Sequence, residues 1–201
     1  AGASGIGLAM ARAFAATGAR VQVSDVDQAA LAALPQDITG HQVNVTDEPA
    51  MAALFAAIRA DWGGLDVLCA NAGIAGPTAL IEDIDLADWR NCVSVNLEGA
   101  FLAAKYAAPM MKAQKSGVIT LTSSTAGQYG YPNRAPYSSA KWAVIGLMKT
   151  LAMELGSFNI RANAICPGSV EGPRMEGVLA REAKAKGMTR DQVYDGYAAG
   201  T

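Results

Sequence analysis

Ala1-Gly2-Ala3-Ser4-Gly5-Ile6-Gly7 runs without a break into Leu8-Ala9-Met10-Ala11-Arg12-Ala13-Phe14-Ala15-Ala16, a helix-forming stretch that stops at Gly18. After it, Ala19-Arg20-Val21-Gln22-Val23-Ser24-Asp25 reads as a short strand ending on an acid. A glycine-rich turn that opens a helix lets backbone N–H groups and the positive helix end approach a pyrophosphate. Asp25 lies eighteen residues after Gly7, close to the spacing (≈ 20 residues) at which a carboxylate meets the ribose of a dinucleotide. The same acid is also placed to cap a helix starting near Asp27. Turn, helix, strand and acid together predict a dinucleotide-binding α/β unit.

The rest of the chain keeps the same alternation. Strands are expected at Arg20–Ser24, His41–Val45, Val67–Ala70, Val118–Thr122 and Arg161–Ile165. Helices are expected at Gly5–Thr17, Gln28–Ala33, Glu48–Trp62, Leu86–Lys115 (with a possible break) and Ala135–Gly156. Short apolar strands separated by helices predict crossover units, hence a Rossmann-like doubly wound parallel sheet flanked by helices on both faces. Thr46-Asp47-Glu48-Pro49 is a helix start, a capping residue followed by proline in the first turn.

A length of 201 residues with 51% hydrophobic content suits a single domain. The net charge of −2 and the lack of a basic block point away from nucleic acid and anionic membranes. No stretch reaches the length of a membrane span and no signal peptide is visible. Cys69, Cys92 and Cys166 are odd in number, far apart and without ligand spacing, so they read as reduced core thiols of a cytoplasmic protein, with no disulfide or metal site. With His41 as the only histidine, histidine triads and multi-histidine metal sites are set aside. The chain opens inside the glycine turn, which a central strand should feed, and ends without a closing strand. The sequence is therefore expected to be part of a longer polypeptide that includes that first strand.

A second constellation sits near Tyr137-Ser138-Ser139-Ala140-Lys141. Residues four apart share a helix face, so the Lys141 ammonium lies near the Tyr137 phenol and favours its anion. Ser124 stands thirteen residues before Tyr137, at the end of an apolar run.

Taken with Asn71-Ala72-Gly73, Asn96 and Pro167-Gly168, these pieces resemble the short-chain dehydrogenase/reductase family from the first residue to about Arg174. The resemblance implies a Ser124-Tyr137-Lys141 active site assisted by Asn96, which would hold a water linking Lys141 to solvent. It implies NAD as cofactor, held by Ser4, Gly5, Ile6, Gly7, Asp25, Asn44, Val45, Asn71, Ala72, Gly73, Tyr137, Lys141, Pro167, Gly168 and Val170. Ala1 stands where the family has its first glycine, a small-for-small change. Asn44 replaces an acid that often meets the adenine amino group, and Gly172 replaces a threonine that often meets the nicotinamide carboxamide. Ser123 and Ser139 read as structural.

The implied reaction is reversible hydride transfer between NAD and a small secondary alcohol: a polyol, a sugar or a hydroxy acid. In it Tyr137 serves as acid/base, Ser124 holds the substrate oxygen and Lys141 also binds the nicotinamide ribose. Two alternatives stand beside this: an NADPH-dependent reductase of carbonyls or 3-oxoacyl thioesters, and a non-catalytic dinucleotide-binding scaffold. Asp25 disfavours the first, and an intact Ser-Tyr-Lys set disfavours the second. Substrate candidates are Gln128, Tyr131 and Arg174, with Trp142, Glu171 and Met175 nearby. Arg174 is placed to pair with a substrate carboxylate or with Glu171. The polar stretch 171–199 is a candidate lid over the substrate. Phe101, Leu102, Tyr106, Met110, Trp142, Leu147, Met148 and Leu151 predict an apolar stripe that a second copy would cover, giving a dimer or tetramer.

Overall fold

The chain is described over residues 1–199 in a computed structural model. Within that range the order is α1 (Gly5–Ala15), β1 (Val21–Asp25), α2 (Gln28–Ala32), β2 (Ile38–Gln42), α3 (Glu48–Trp62), β3 (Val67–Ala70), α4 (Leu86–Val93), α5 (Gly99–Gln114), β4 (Gly117–Thr122), α6 (Ala135–Leu155), β5 (Ile160–Ile165), α7 (Pro173–Lys186) and α8 (Arg190–Ala199). Every strand pairing is parallel: β1 with β2, and β3 with β4 with β5. Parallel neighbours need long crossovers, and the helices between these strands provide them and flank the sheets. The architecture is the expected Rossmann-like α/β domain.

Local chemistry sets the helix ends. Asp47 accepts from Ala50 N at 3.0 Å, Pro49 lies in the first turn of α3, and Gly63 closes that helix at φ +77°. Asp27, not Asp25, caps α2, accepting from Ala30 N at 3.0 Å. The heaviest packing surrounds β4, whose Ile119 and Leu121 are fully buried with Met111 of α5 and Val144 and Leu155 of α6. Each such side chain contributes roughly 1.5–3 kcal/mol through burial. The end of β4, which carries Ser124, is therefore firmly anchored.

The structure refines the sequence reading at three places. β2 occupies Ile38–Gln42 instead of His41–Val45. Ile38 pairs with Val21 and packs with Ala11 and Val23, while Gly40 leaves room for α2: a Cβ there would lie 2.7 Å from Leu34 Cδ1. The long helix expected over 86–115 is interrupted by a π-turn at Ser94–Glu98. The polar stretch after Glu171 forms two helices, α7 and α8, joined by their own small cluster of Leu179, Ala183 and Val193 with Met175 and Tyr197.

The apolar stripe is also thinner than expected. Leu102, Met110 and Leu151 are buried in the main core, and Tyr106, Leu147 and Met148 pack against it. Only Phe101 (47%) and Trp142 (51%) of the eight remain largely exposed, joined by Met153 at 85%.

Among the described residues, β1 and β3 do not pair with each other, and a cleft of about 710 Å³ lies between them. Val21, Val23, Val67, Leu68, Met51 and Phe55 are among its apolar walls. Its lining includes neither Tyr137 nor Lys141.

Candidate active site

Tyr137 and Lys141 are the third and seventh residues of α6, one turn apart, and the Lys141 Nζ lies 5.7 Å from the centroid of the Tyr137 ring. Tyr137 is half-buried, whereas Lys141 is only 2% exposed and its ammonium donates to Thr122 O at 2.8 Å. Burial above all, and next the positive charge of Arg174, lower the Lys141 pKa to about 8; the Cys92 thiol opposes this weakly. Ser124 follows β4 in extended backbone and starts the short 3₁₀ turn Thr125–Gly127. Its Oγ accepts from Ala126 N at 3.2 Å and donates at 3.4 Å to Pro167 O.

The neighbouring serines lock this arrangement. Ser123 Oγ donates to Lys141 O at 2.8 Å and Ser138 Oγ to Ala126 O at 2.7 Å. A Cβ on Gly127 would fall 2.4 Å from Ser123 Oγ and 2.7 Å from Lys141 O, so the turn and helix can meet this closely only at glycine. Ser123 is structural, as expected; Ser139 faces outward and is exposed.

Asn96 lies in the π-turn, a feature found often at functional sites. It is 1% exposed, and its Nδ2 donates to Ile74 O at 3.0 Å and Cys92 O at 2.8 Å. Its Oδ1 is buried without a hydrogen-bond partner. A Cβ on Gly73 would lie 2.6 Å from that oxygen and 3.3 Å from Lys141 Nζ. Asn96 Oδ1, the Lys141 ammonium and the bare Cα of Gly73 therefore converge on one spot.

Arg134 was not singled out by the sequence. It is 3% exposed, its Nη2 donates to Ala75 O at 2.9 Å, and its guanidinium lies 5.0 Å from the Tyr137 ring centroid and 5.4 Å from that of Tyr131. Burial lowers its pKa from the usual arginine value. The available signal was an arginine at the N-cap of a long helix, where a positive charge opposes the helix dipole.

At the other end of the molecule, Gly5 adopts φ +50°, with open space where a side chain would stand. A Cβ on Gly7 would collide with Ala1 O at 1.9 Å, and one on Gly2 would lie 2.6 Å from Val23 Cβ. Asp25 is 6% exposed. Its carboxylate accepts from Ala3 N and Asp27 N, both at 3.1 Å. Burial works to raise its pKa, and the two backbone hydrogen bonds work to lower it. Asn71 links the two ends: Nδ2 donates to Ala1 O at 2.9 Å, and Oδ1 accepts from Thr122 Oγ1 at 3.1 Å. Asn44 is exposed, and its Oδ1 already takes Thr46 N and Thr46 Oγ1 at 3.1 and 3.0 Å. Any bond to an adenine amino group would compete with those two. Val45 packs beneath Gly99. Pro167 is half-buried beside Ser124, and Gly168 and Val170 are exposed.

The substrate candidates divide. Arg174 lines a second cavity of about 460 Å³, together with Gly73–Gly76 and Arg181. Tyr131 stands edge-on to Tyr197 at 6.5 Å. Gln128 is exposed at the surface of the turn after Ser124. Trp142 is exposed, with Nε1 donating to Tyr129 O at 3.5 Å. Met175 packs into the α7–α8 cluster. Glu171 accepts from Tyr194 OH and forms no ion pair with Arg174.

A glycine-rich turn opening a helix, an acid at the next strand end, and a tyrosine and lysine one turn apart on α6 suit a nucleotide-dependent enzyme. Comparison with known proteins agrees: residues 1–183 match the family model described as short chain dehydrogenase, and the chain belongs to that family. It is 40% identical over 185 residues to the cis-4-hydroxycyclohexanecarboxylate dehydrogenase of Sinomonas cyclohexanicum, covering 89% of this chain and 74% of that one. It is 38% identical over 192 residues to (+)-borneol dehydrogenase 1 of Salvia officinalis, covering 93% of this chain and 72% of that one. Among solved structures, NAD⁺-bound xylitol dehydrogenase superposes with a TM-score of 0.88 at 31% identity, covering 91% of this chain and 74% of the other. The chain is an oxidoreductase acting on CH–OH groups.

Proposed function

We propose that the protein is an NAD-dependent dehydrogenase of small polar secondary alcohols, with Tyr137 as its acid/base. The observation that carries this is the convergence of the Lys141 ammonium, the Tyr137 ring and the unpartnered Asn96 Oδ1 beside Gly73. A similar 4-hydroxycyclohexanecarboxylate dehydrogenase and a similar NAD⁺-bound xylitol dehydrogenase point to hydroxy acids and polyols as the substrate range.

The residues present fit a nicotinamide dinucleotide. The bare glycines of the first turn and Ser4 and Ile6 between them would hold the pyrophosphate. Asp25, ionised at neutral pH, would accept from the ribose hydroxyls and repel a 2′-phosphate, which favours NAD over NADP. Asn44, Val45 and Asn71–Gly73 would support the adenosine side, and Pro167, Gly168 and Val170 the nicotinamide side. The bound nicotinamide supplies the hydride acceptor.

The chain's own residues would then do four things. Ser124 Oγ would hydrogen-bond the substrate oxygen and fix the carbinol carbon. Tyr137 would take the hydroxyl proton in oxidation and return it in reduction. Lys141 would keep a positive charge beside the phenolate and bind the nicotinamide ribose. Asn96 Oδ1 would accept from a water that passes the proton between Lys141 and solvent. α7 and α8 would act as a lid, since they pack mainly on each other.

The same reading places a further parallel strand in the cleft between β1 and β3, where it would cover the apolar walls and the facing strand edges. It also places a second copy against Phe101, Trp142 and Met153, in a cytoplasmic homo-oligomer. No helix among the described residues is long and apolar enough to cross a membrane.

The test is a set of initial rates at 340 nm with NAD and with NADP on hydroxy acids, polyols and sugars. Turnover of at least one class with NAD preferred in kcat/KM is expected; equal or reversed preference would overturn the cofactor assignment.

A further inference from the structure

The cavity beside Lys141 has an unusual charge balance. One wall is the small, uncharged loop Gly73–Gly76, and the other is the first turns of α7. Arg174, Gly177 and Arg181 are spaced by three and four residues, so all three lie on the helix face that lines this cavity. The Arg181 Nη1 lies over Gly177, 3.4 Å from where a Cβ would stand, an ordinary contact distance.

Among the described residues neither arginine forms an ion pair. The acids nearest in sequence are engaged elsewhere: Glu176 with Arg190, Glu182 with Lys186 and Tyr197, Glu171 with Tyr194. Two further cations lie close behind the loop. Arg134 is buried, bonded to Ala75 O, with its Nε unpartnered, and its guanidinium is repelled by that of Arg181 and attracted by the Glu182 carboxylate. Lys141 is likewise repelled by Arg174. Four cationic side chains thus surround one small loop, and the cavity lining contains no carboxylate. Arg174 and Arg181 are exposed to solvent while Arg134 and Lys141 are buried, and guanidinium groups match an oxyanion through paired N–H donors.

We propose that this cavity is the subsite for an anionic group on the substrate, so that the alcohols oxidised here carry a carboxylate or a phosphate monoester held by Arg174 and Arg181. The inference rests on the dehydrogenase reading above and narrows its substrate range: uncharged polyols and sugars are the poor members of it. Arg174 and Arg181 set specificity and take no part in the proton transfer.

The test compares matched pairs: a hydroxy acid against its uncharged amide, and a sugar-alcohol phosphate against its parent polyol. Each is assayed in the wild type, Arg174→Gln, Arg181→Gln and the Arg→Lys variants. Alongside, calorimetry on the enzyme with NADH measures binding of two probes that lack a secondary alcohol, cyclohexanecarboxylate and inorganic phosphate. In the wild type the charged member of one pair should be preferred, and the preferred pair tells carboxylate from phosphate. Each Arg→Gln change should lower that preference ratio by about tenfold to a hundredfold, the range for charge-assisted hydrogen bonds, mainly through KM of the alcohol. The lysine variants should recover part of it, and the better-bound probe should weaken in parallel. Equal rates within both pairs of the wild type would overturn the proposal. So would a loss falling on KM for NAD with the ratio unchanged, which would assign the arginines to the cofactor phosphates. Should no alcohol be turned over while either probe binds and is lost in the Gln variants, the anion site would stand and the dehydrogenase reading would fall. If neither probe binds and no pair discriminates, the anion site falls by itself.

Discussion

Replacing Lys141 by Met should make the ligand-free protein more stable at neutral pH while removing its activity. The lysine is buried with its charge in place, and its pKa falls to about 8 from an ordinary 10.5. That difference corresponds to about 3 kcal/mol of folding free energy lost to holding the cation in the interior at pH 7. The sign follows from proton counts. Between pH 8 and 10.5 the unfolded chain binds the proton that the native state has released, so stability from this group rises with pH across that window. Below pH 8 both states carry the proton and the full penalty is present. Methionine has similar bulk and no charge, but it leaves Thr122 O without its donor, which costs roughly 1–3 kcal/mol. The absolute gain at pH 7 is therefore the small residue of two opposing effects. The change with pH is free of the carbonyl term. From pH 7 to pH 9.5 the stability of the wild type should approach or overtake that of the variant by about 2 kcal/mol. Thermal or urea unfolding of both proteins at several pH values measures it, with each kcal/mol appearing as about 2–4 °C in Tm for a chain of this size. A stability difference that stays constant from pH 7 to 9.5 would refute the claim that native Lys141 holds a strained charge.

Three further outcomes are expected. Tyr137→Phe should lower kcat by at least ~10²-fold, the lower range for a general acid–base group, while Kd for NAD stays nearly unchanged; near-normal turnover would end the Ser-Tyr-Lys assignment. Asp25→Ala should erode the preference for NAD chiefly by lowering KM for NADP, read from kcat/KM for both cofactors. Its carboxylate also holds Ala3 N and Asp27 N, so a parallel loss of stability is expected. In the free enzyme kcat/KM for NAD should decline above about pH 8 as Lys141 loses its charge; Arg174→Gln, by removing a neighbouring cation, should move that decline to higher pH, and a shift downward would contradict the electrostatics.

What could be read in the chain follows from how local each signal is. Tyr137 and Lys141 share a face because four residues make about one helical turn, and no distant contact can alter that. Asp47 caps α3 for the same kind of reason. β2 was misplaced because its register depends on which apolar residue reaches the layer of Ala11 and Val23, and Ile38 reaches it while Val43 and Val45 join the main core instead. The π-turn carrying Asn96 has no pattern in Ser94-Val95-Asn96-Leu97-Glu98, since all five residues suit an ordinary helix. The stretch 171–199 was read as a polar candidate lid with no helix assigned to it because the buried side of α7 and α8 is narrow, essentially Val178, Leu179, Ala183 and Val193. Arg134 and Arg181 were passed over because each matters only through elements far away in sequence, the loop after β3 and the start of α6.

The two ends of the site lie on different sheets, and this shapes how the enzyme can work. Asp25 ends β1 in the two-stranded sheet, while Ser124 follows β4 in the three-stranded one. Among the described residues the polar link between them is Asn71, which holds Ala1 O with one atom and Thr122 Oγ1 with the other. Thr122 also supplies the carbonyl that takes the Lys141 ammonium. One amide thus connects the glycine turn to the strand whose carbonyl holds Lys141. Gly7 permits that route, since a Cβ there would lie 2.9 Å from Asn71 Nδ2. Hydrogen bonds of this kind contribute only about 1 kcal/mol each, too little to fix the two sheets rigidly. A dinucleotide that touches Asp25 at one end and Lys141 at the other would add its own binding energy to the same link. The lysine charge that weakens the empty protein would then become an attractive contact. Binding of a dinucleotide would in that way strengthen the link between the glycine turn and Lys141.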